Sequence, residues 1–195
     1  MSEFKEIQWS SAADKIAIHH NYDHQPVISW HDSAMHVVDD FTKVSPLEIT
    51  ENTLVSDAEQ KLRNANRRYA CIKNQNGEMT GLLALRELHG RKATQLSTVN
   101  QTGWRELAVK ELMLPLLALP QVKLESLTKA KVGDAAATLK ASGRDFLLVI
   151  NNGEVCGVVS SLRIAELTGE SVNVYHLPST FAEIISAINH HQVID

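Results

Sequence analysis

Nine histidines and two cysteines are the residues of this 195-residue chain best suited to metal or redox chemistry. His19, His20 and His24 cluster with Asp23 in the segment IHHNYDHQ, and neutral imidazole and carboxylate are good ligands for zinc or nickel. The spacing of His20 and His24 puts both rings on one face only within a helix. Pro26 follows closely, and no matching distal ligands are evident. These histidines, like His190 and His191, are read as solvated side chains, and a metal-dependent enzyme built on them is the minor reading. Cys71 and Cys156 lie in apolar runs and form no CxxC, so they are read as small buried hydrophobes, with no zinc site. The chain has no GxSxG, HExxH or GxxxxGK[ST] segment, hence no nucleophile elbow, zinc-protease helix or phosphate-gripping loop. No catalytic residue and no metal ligand is assigned.

Composition narrows the classes further. The chain is 44% hydrophobic, enough for a core, and its net charge of -4 comes with no block of like charges. No basic footprint for nucleic acid is present. No apolar stretch approaches the roughly 20 residues of a membrane span. The opening MSEFKEIQWSS has acids and no apolar h-region, so it is not read as a secretory signal. The expectation is a cytoplasmic protein whose partners are neither nucleic acid nor membrane.

The elements that position any site come in duplicate. Residues 55–81 read VSDAEQKLRNANRRYACIKNQNGEMTG and residues 132–157 read VGDAAATLKASGRDFLLVINNGEVCG. Val55, Asp57, Ala58, Leu62 and Arg67 line up with Val132, Asp134, Ala135, Leu139 and Arg144; Tyr69 faces Phe146, Ile72 faces Val149, and Gly81 faces Gly157 after one deletion. Such a doubling implies pseudo-symmetry and a cleft where the halves meet, a place small ligands favour.

Each copy reads strand, helix, strand, turn, strand, helix. In the first, Leu47–Thr50 is a strand, and Val55, Ala58, Leu62 and Ala65 recur at helical spacing. Tyr69–Ile72 and Met79–Leu83 form a hairpin around Asn74-Gln75-Asn76-Gly77, and a helix from Leu85 to His89 stops at Gly90. In the second, Gln121–Leu124 is a strand and Val132, Ala135, Ala136 and Leu139 form the helical stripe. Phe146–Ile150 and Val155–Val159 flank the turn Asn152-Gly153, and Ser160–Leu167 is helical before Gly169. A smaller echo, Val37–Phe41 against Val109–Met113, leads into each copy.

The division expected is an N-terminal extension (1–32), a first unit with lead-in (33–90), a polar surface connector (91–107), a second unit with lead-in (108–169) and a C-terminal extension (170–195). Ser11–Ile18 suggests a helical turn or two. Residues 179–192 suggest a helix with a Thr180/Glu183 capping box and an apolar face of Phe181, Ile184, Ile185 and Ile188. Trp9, Trp30 and Trp104 are read as packing anchors.

The two copies resemble a tandem pair of CBS domains, named after cystathionine β-synthase. The resemblance rests on Val55-x-Asp57-Ala58 with Leu62, Tyr69–Ile72, Asn76-Gly77 and Gly81–Leu83. Their counterparts are Val132-x-Asp134-Ala135 with Leu139, Phe146–Ile150, Asn152-Gly153 and Gly157–Val159. It covers about residues 37–169, and its specificity lies in the repeated order. It implies an α/β (α+β) fold of two pseudo-symmetric βαββα units packed sheet to sheet. It also implies a non-catalytic regulatory module that senses an adenine nucleotide or related adenosyl metabolite in the inter-repeat cleft. The ligands implied are AMP, ADP, ATP or S-adenosylmethionine, with no resident cofactor. The partners implied are a second copy in a homodimer and an effector protein in trans.

In that family the ligand-contact signature is Gly, two apolar residues, Ser or Thr, two variable residues, then Asp. A hydroxyl at a helix N-terminus suits a phosphate, and a carboxylate one turn later suits ribose hydroxyls. This chain keeps pieces of it. Ala84 has lost the hydroxyl while Glu87 retains a carboxylate; Ser160 retains the hydroxyl while Arg163 replaces the acid. On one reading Ala84 and Glu87 form a first cleft that accepts ribose, and Ser160 and Arg163 form a second that favours anions. On the other, Ser160 is only an N-cap, Glu87 only favours a helix N-terminus, Arg163 is a solvated surface residue, and the chain is an interaction scaffold that has lost nucleotide binding.

Overall fold

The computed structural model describes residues 28–172. Its strands are β1 (Val38–Asp40), β2 (Glu48–Thr50), β3 (Tyr69–Lys73), β4 (Met79–Ala84), β5 (Leu114–Pro115), β6 (Gln121–Lys123), β7 (Phe146–Asn151) and β8 (Glu154–Ser160). Its α-helices are α1 (Val55–Asn64), α2 (Arg91–Asn100), α3 (Val109–Leu112), α4 (Leu124–Thr128), α5 (Val132–Ser142) and α6 (Ser161–Thr168).

The apolar stripes fold as their spacing requires. Helix α1 buries Val55, Ala58 and Leu62, and α5 buries Val132, Ala135, Ala136 and Leu139. Just past each helix the chain turns through the left-handed region at one repeat position, Asn66 (φ 49) in the first copy and Gly143 (φ 61) in the second. Asparagine and glycine are the residues that visit this region at least cost. Asn152 and Gly153, both at positive φ, close the β7–β8 hairpin as expected of that dipeptide. Both hairpins also carry an irregularity at the same place, after Ile72 and after Val149.

Two four-stranded sheets result, in the orders β2-β3-β4-β5 and β1-β8-β7-β6. In each, the strand before the helix runs parallel to the strand after it, and the hairpin completes the centre. The edge strand opposite comes from the other copy's lead-in. β5, which precedes the second copy, pairs with β4, and β1, which precedes the first, pairs with β8. The lead-ins therefore do not stay with the copy they precede. The amide of Val55, at the start of α1, donates to the Leu107 carbonyl, and that of Val132, at the start of α5, to the Asp32 carbonyl, so the exchanged segments satisfy helix N-termini. The bridges Leu54–Ala108 and Ser33–Lys131 repeat the arrangement. They match Ala34–Val37, a 3-10 turn, with α3, correcting the expected echo of Val37 with Val109 by three residues. Burial decides the match, because Ala34 and Val37 face the core as Val109 and Leu112 do.

The glycine shared by both hairpins has its reason here. A Cβ at Gly81 would collide with the Leu114 carbonyl oxygen, and one at Gly157 would lie 2.8 Å from Val38 Cγ1 and 3.0 Å from the Asp39 oxygen. Each glycine admits the exchanged strand.

Between the sheets, Cys71, Leu82 and Ala84 of the first copy pack with Phe146, Leu148 and Val158 of the second. The copies bury one another, as the doubling implies, and a buried leucine in such a layer contributes about 1.5–3 kcal/mol. Further clusters beneath α1 and α5 back the outer faces, with Trp104 against the first and Trp30 against the second, as packing anchors.

Residues 91–107, expected as a polar surface connector, lie largely at the surface but are more ordered than a connector. They hold α2, which buries Ala93 and leans Leu96 on the first core, and they end at the buried Leu107. A few apolar residues at the right spacing suffice to dock a helix whose other positions are polar. Gly90 is not a left-handed stop: its φ is -76 and it caps the start of α2, while Leu85–His89 is a 3-10 helix. Gly169 does end α6 in the left-handed region, with φ 75. Among the described residues no helix is long and apolar enough to cross a membrane. The N-terminal and C-terminal histidine pairs, His24, Asp23, Trp9, and the helices suggested over 11–18 and 179–192 lie outside the described residues.

Candidate functional site

A cleft of about 590 Å³ opens where the two copies meet. Its walls are the start of β3 and end of β4 from the first copy, and the start of β7 and end of β8 from the second, with the first turn of α6 and the Leu85–His89 turn above them. Tyr69 and Phe146, at equivalent repeat positions, stack edge to face with centroids 5.4 Å apart and give the cleft an aromatic wall.

Polar groups ring this wall. The Tyr69 hydroxyl donates to Asp39 Oδ2 at 2.9 Å, joining the first sheet to the exchanged strand β1 of the second. Burial, reinforced by the Asp39 charge and hydrogen bond, lifts the Tyr69 phenol well above the usual tyrosine range. Arg86 of the first copy pairs with Asp145 of the second, and Asp145 also accepts from the Ser161 hydroxyl at 2.6 Å. Burial pulls the Arg86 guanidinium down, but the bonds to Asp145 and the charge of Glu87 outweigh it, and the net direction is upward. Arg68 of the first copy pairs with Glu166 of the second, Nη2 to Oε1 at 2.6 Å.

Arg163 is held more loosely. Its Nε is 3.8 Å from Asp39 Oδ1 and its Nη1 is 3.8 Å from Glu166 Oε2. That Nε is buried and has no hydrogen-bond partner, and no other buried side-chain nitrogen or oxygen among the described residues shares this condition. Arg67 lines the cleft with no ion pair among the described residues.

Of the residues singled out from sequence, Ala84, Ser160 and Arg163 line this one cleft together, and Glu87 is not among its lining residues. The expectation of Ala84 with Glu87 in one cleft and Ser160 with Arg163 in another is corrected accordingly. The pseudo-two-fold brings the ends of β4 and β8 to the same opening. Glu87 instead accepts from Arg86 Nε at 3.3 Å. Ser160 accepts from the Arg163 amide at 3.1 Å, the N-cap of α6. Arg163 is more than a solvated surface residue, given its buried Nε. Sequence reasoning missed Arg68, Arg86, Asp145 and Glu166. One signal was available: Arg68 and Asp145 occupy the same repeat position, just before Tyr69 and Phe146, with opposite charge. Among the described residues no group of three or more His, Cys, Asp or Glu side chains is arranged to hold a metal.

No family model matches the sequence, and no curated protein matches it. Solved structures do match. An uncharacterized conserved protein from Pyrococcus horikoshii aligns with a TM-score of 0.53 at 11% identity, over 75% of this chain and 98% of that one. A hemolysin-like protein containing a CBS domain from Oenococcus oeni aligns at 0.51 and 14%, over 72% and 93%. A CBS-domain containing protein from Agrobacterium tumefaciens aligns at 0.50 and 10%, over 65% and 88%. With the doubled βαββ units, the shared inter-sheet core and these likenesses together, the chain is shown to fold as a tandem CBS-domain pair.

Proposed function

We propose that the chain is a non-catalytic regulatory module whose inter-repeat cleft binds a small adenosyl-bearing ligand. The observation that carries this reading is the cleft itself. Its size falls in the range of small-molecule sites, an aromatic pair lines it, guanidinium groups from both copies surround it, and one of those has a buried donor without an acceptor. A planar base suits the aromatic wall, and an anionic group suits the arginines. Because both copies wall the cleft, a ligand there would bias how they sit against one another, which is the means of regulation proposed. Adenosyl ligands are what the resemblance to CBS pairs implies.

A second reading, a dimerisation or interaction scaffold without a nucleotide, is favoured by the signature residues. Ser160 is engaged as a cap, Ala84 has no hydroxyl, and Glu87 is turned to Arg86. Thermal shift and calorimetric titration with AMP, ATP and S-adenosylmethionine separate the two. A bound ligand at about 100 times its Kd adds about 2.7 kcal/mol of stability. Absence of any shift at millimolar concentration, with no nucleoside in mass spectra of the natively purified chain, refutes the sensing reading and leaves the scaffold.

A further inference from the structure

The charges along the cleft have a pattern that bears on which ligand it takes. Four arginines line it, Arg67, Arg68, Arg86 and Arg163, facing the carboxylates of Asp39, Asp145 and Glu166. Two of the arginines are already committed, Arg86 to Asp145 and Arg68 to Glu166. Asp145 is itself buried and further fixed by the Ser161 hydroxyl, so its charge stays in the cleft wall. That leaves Arg67, without an ion pair among the described residues, and Arg163, whose pairs with Asp39 and Glu166 are both long at 3.8 Å and include no hydrogen bond from Nε, to meet a ligand.

We infer that the cleft selects a ligand bearing one anionic group, such as a nucleoside monophosphate, and turns away polyphosphates, with Asp145 as the residue that sets this limit. The inference rests on the proposed function, since it concerns the ligand of that same cleft. A polyphosphate needs cations along its whole length, and here it must either displace a carboxylate from an arginine or lie against that carboxylate. The cost of a fixed negative charge scales with the charge brought to it. A monophosphate brings about two negative charges near neutral pH and a triphosphate about four, so the carboxylates discriminate between ligands that share base and sugar.

Calorimetric titration of the full chain with adenosine, AMP, ADP and ATP, in EDTA and at constant ionic strength, tests this. AMP is expected to bind at least about tenfold more tightly than either ATP or adenosine. In Asp145→Asn, which keeps the acceptor for Ser161 and releases Arg86, ATP gains more than AMP and the gap shrinks about fivefold. If Asp145→Asn does not fold, Glu166→Gln, which releases Arg68 from a more exposed pair and removes the carboxylate charge beside Arg163 Nη1, must show the same narrowing. ATP binding to the wild-type chain as tightly as AMP, or adenosine binding as tightly as AMP, overturns the charge selection while the proposed function stands. A gap unchanged in a folded variant overturns the role of the carboxylate. No binding by any of the four refutes this inference, and the adenosyl-binding reading falls with it when S-adenosylmethionine also fails to bind.

Discussion

Replacing Gly81 by alanine probes the strand exchange at its tightest point. The added Cβ runs into the Leu114 carbonyl, with Met113 Sδ 3.3 Å away. A carbonyl in a paired strand has no rotamer to escape into. Relief requires moving β5 or breaking its pairing of Gly81 with Pro115 and Leu82 with Leu114. Overpacking of this kind costs about 1–3 kcal/mol. The narrower unfolded ensemble of alanine returns about 0.4–1 kcal/mol. Because the clash is with a paired backbone carbonyl, the overpacking cost falls in the middle to upper part of its range, about 2–2.5 kcal/mol, so the net loss expected is about 1–2 kcal/mol. In a chain of this size that lowers the midpoint of thermal unfolding by about 2–8 °C. Gly157→Ala should lose less, because its nearest neighbour is the Val38 side chain, which can shift. Gly103→Ala meets nothing within 4 Å at an ordinary φ of -63 and should be neutral or slightly stabilising. Thermal and urea unfolding should therefore rank the variants Gly103→Ala, Gly157→Ala, Gly81→Ala from most to least stable. A Gly81→Ala chain as stable as wild type, or a Gly103→Ala chain equally damaged, would refute the idea that strand approach dictates glycine here.

Leu148→Ala, which empties part of the inter-sheet layer, should cost about 2–5 kcal/mol in urea unfolding; a loss under about 1 kcal/mol would mean the sheets do not depend on that contact. Tyr69 holds its proton more firmly folded than unfolded, so its contribution is complete below the ordinary tyrosine pKa of about 10 and is lost as pH rises beyond it. Stability measured from pH 7 to 11 should fall less steeply at the alkaline end in Tyr69→Phe, and an unchanged slope would contradict this. Burial pushes the Cys71 thiol up to about 12, and Cys71 is buried where Cys156 is partly open. Iodoacetamide at pH 8 followed by peptide mapping should label Cys156 first; preferential labelling of Cys71 would mean the inter-sheet layer opens readily.

Much of the fold was readable because it depends on local pattern. The stripes Val55-Ala58-Leu62 and Val132-Ala135-Leu139 are periodic, and Asn152-Gly153 is a turn by its own chemistry. What escaped was non-local. Strands β1 and β5 are too short to announce a partner, and their register is decided by which glycine leaves room and which apolar pair, Ala34 and Val37 or Val109 and Leu112, reaches the core. Helix α2 escaped because Ala93 and Leu96 are sparse among polar neighbours, and only the first core, which they share with Leu107 and Trp104, gives them a place.

The site was readable in part for a related reason. Ala84, Ser160 and Arg163 stand at motif positions, whereas Arg68, Arg86, Asp145 and Glu166 are ordinary charges until the copies are placed together. Once they are, the direction of the pairing is informative. Both cross-copy arginines belong to the first copy and both carboxylates to the second. Identical copies would set like charge against like at the position shared by Arg68 and Asp145, beside a common opening. Covalent linkage of the two copies frees each to carry the complement of the other. The exposed Arg68–Glu166 pair adds only about 0–1 kcal/mol, and the Arg86–Asp145 pair must first offset the desolvation of the buried Asp145, so it is the layer of Leu82, Leu148 and Val158 that holds the copies together. The effect of the pairs falls instead on the cleft, where they decide how much positive charge is left for a ligand.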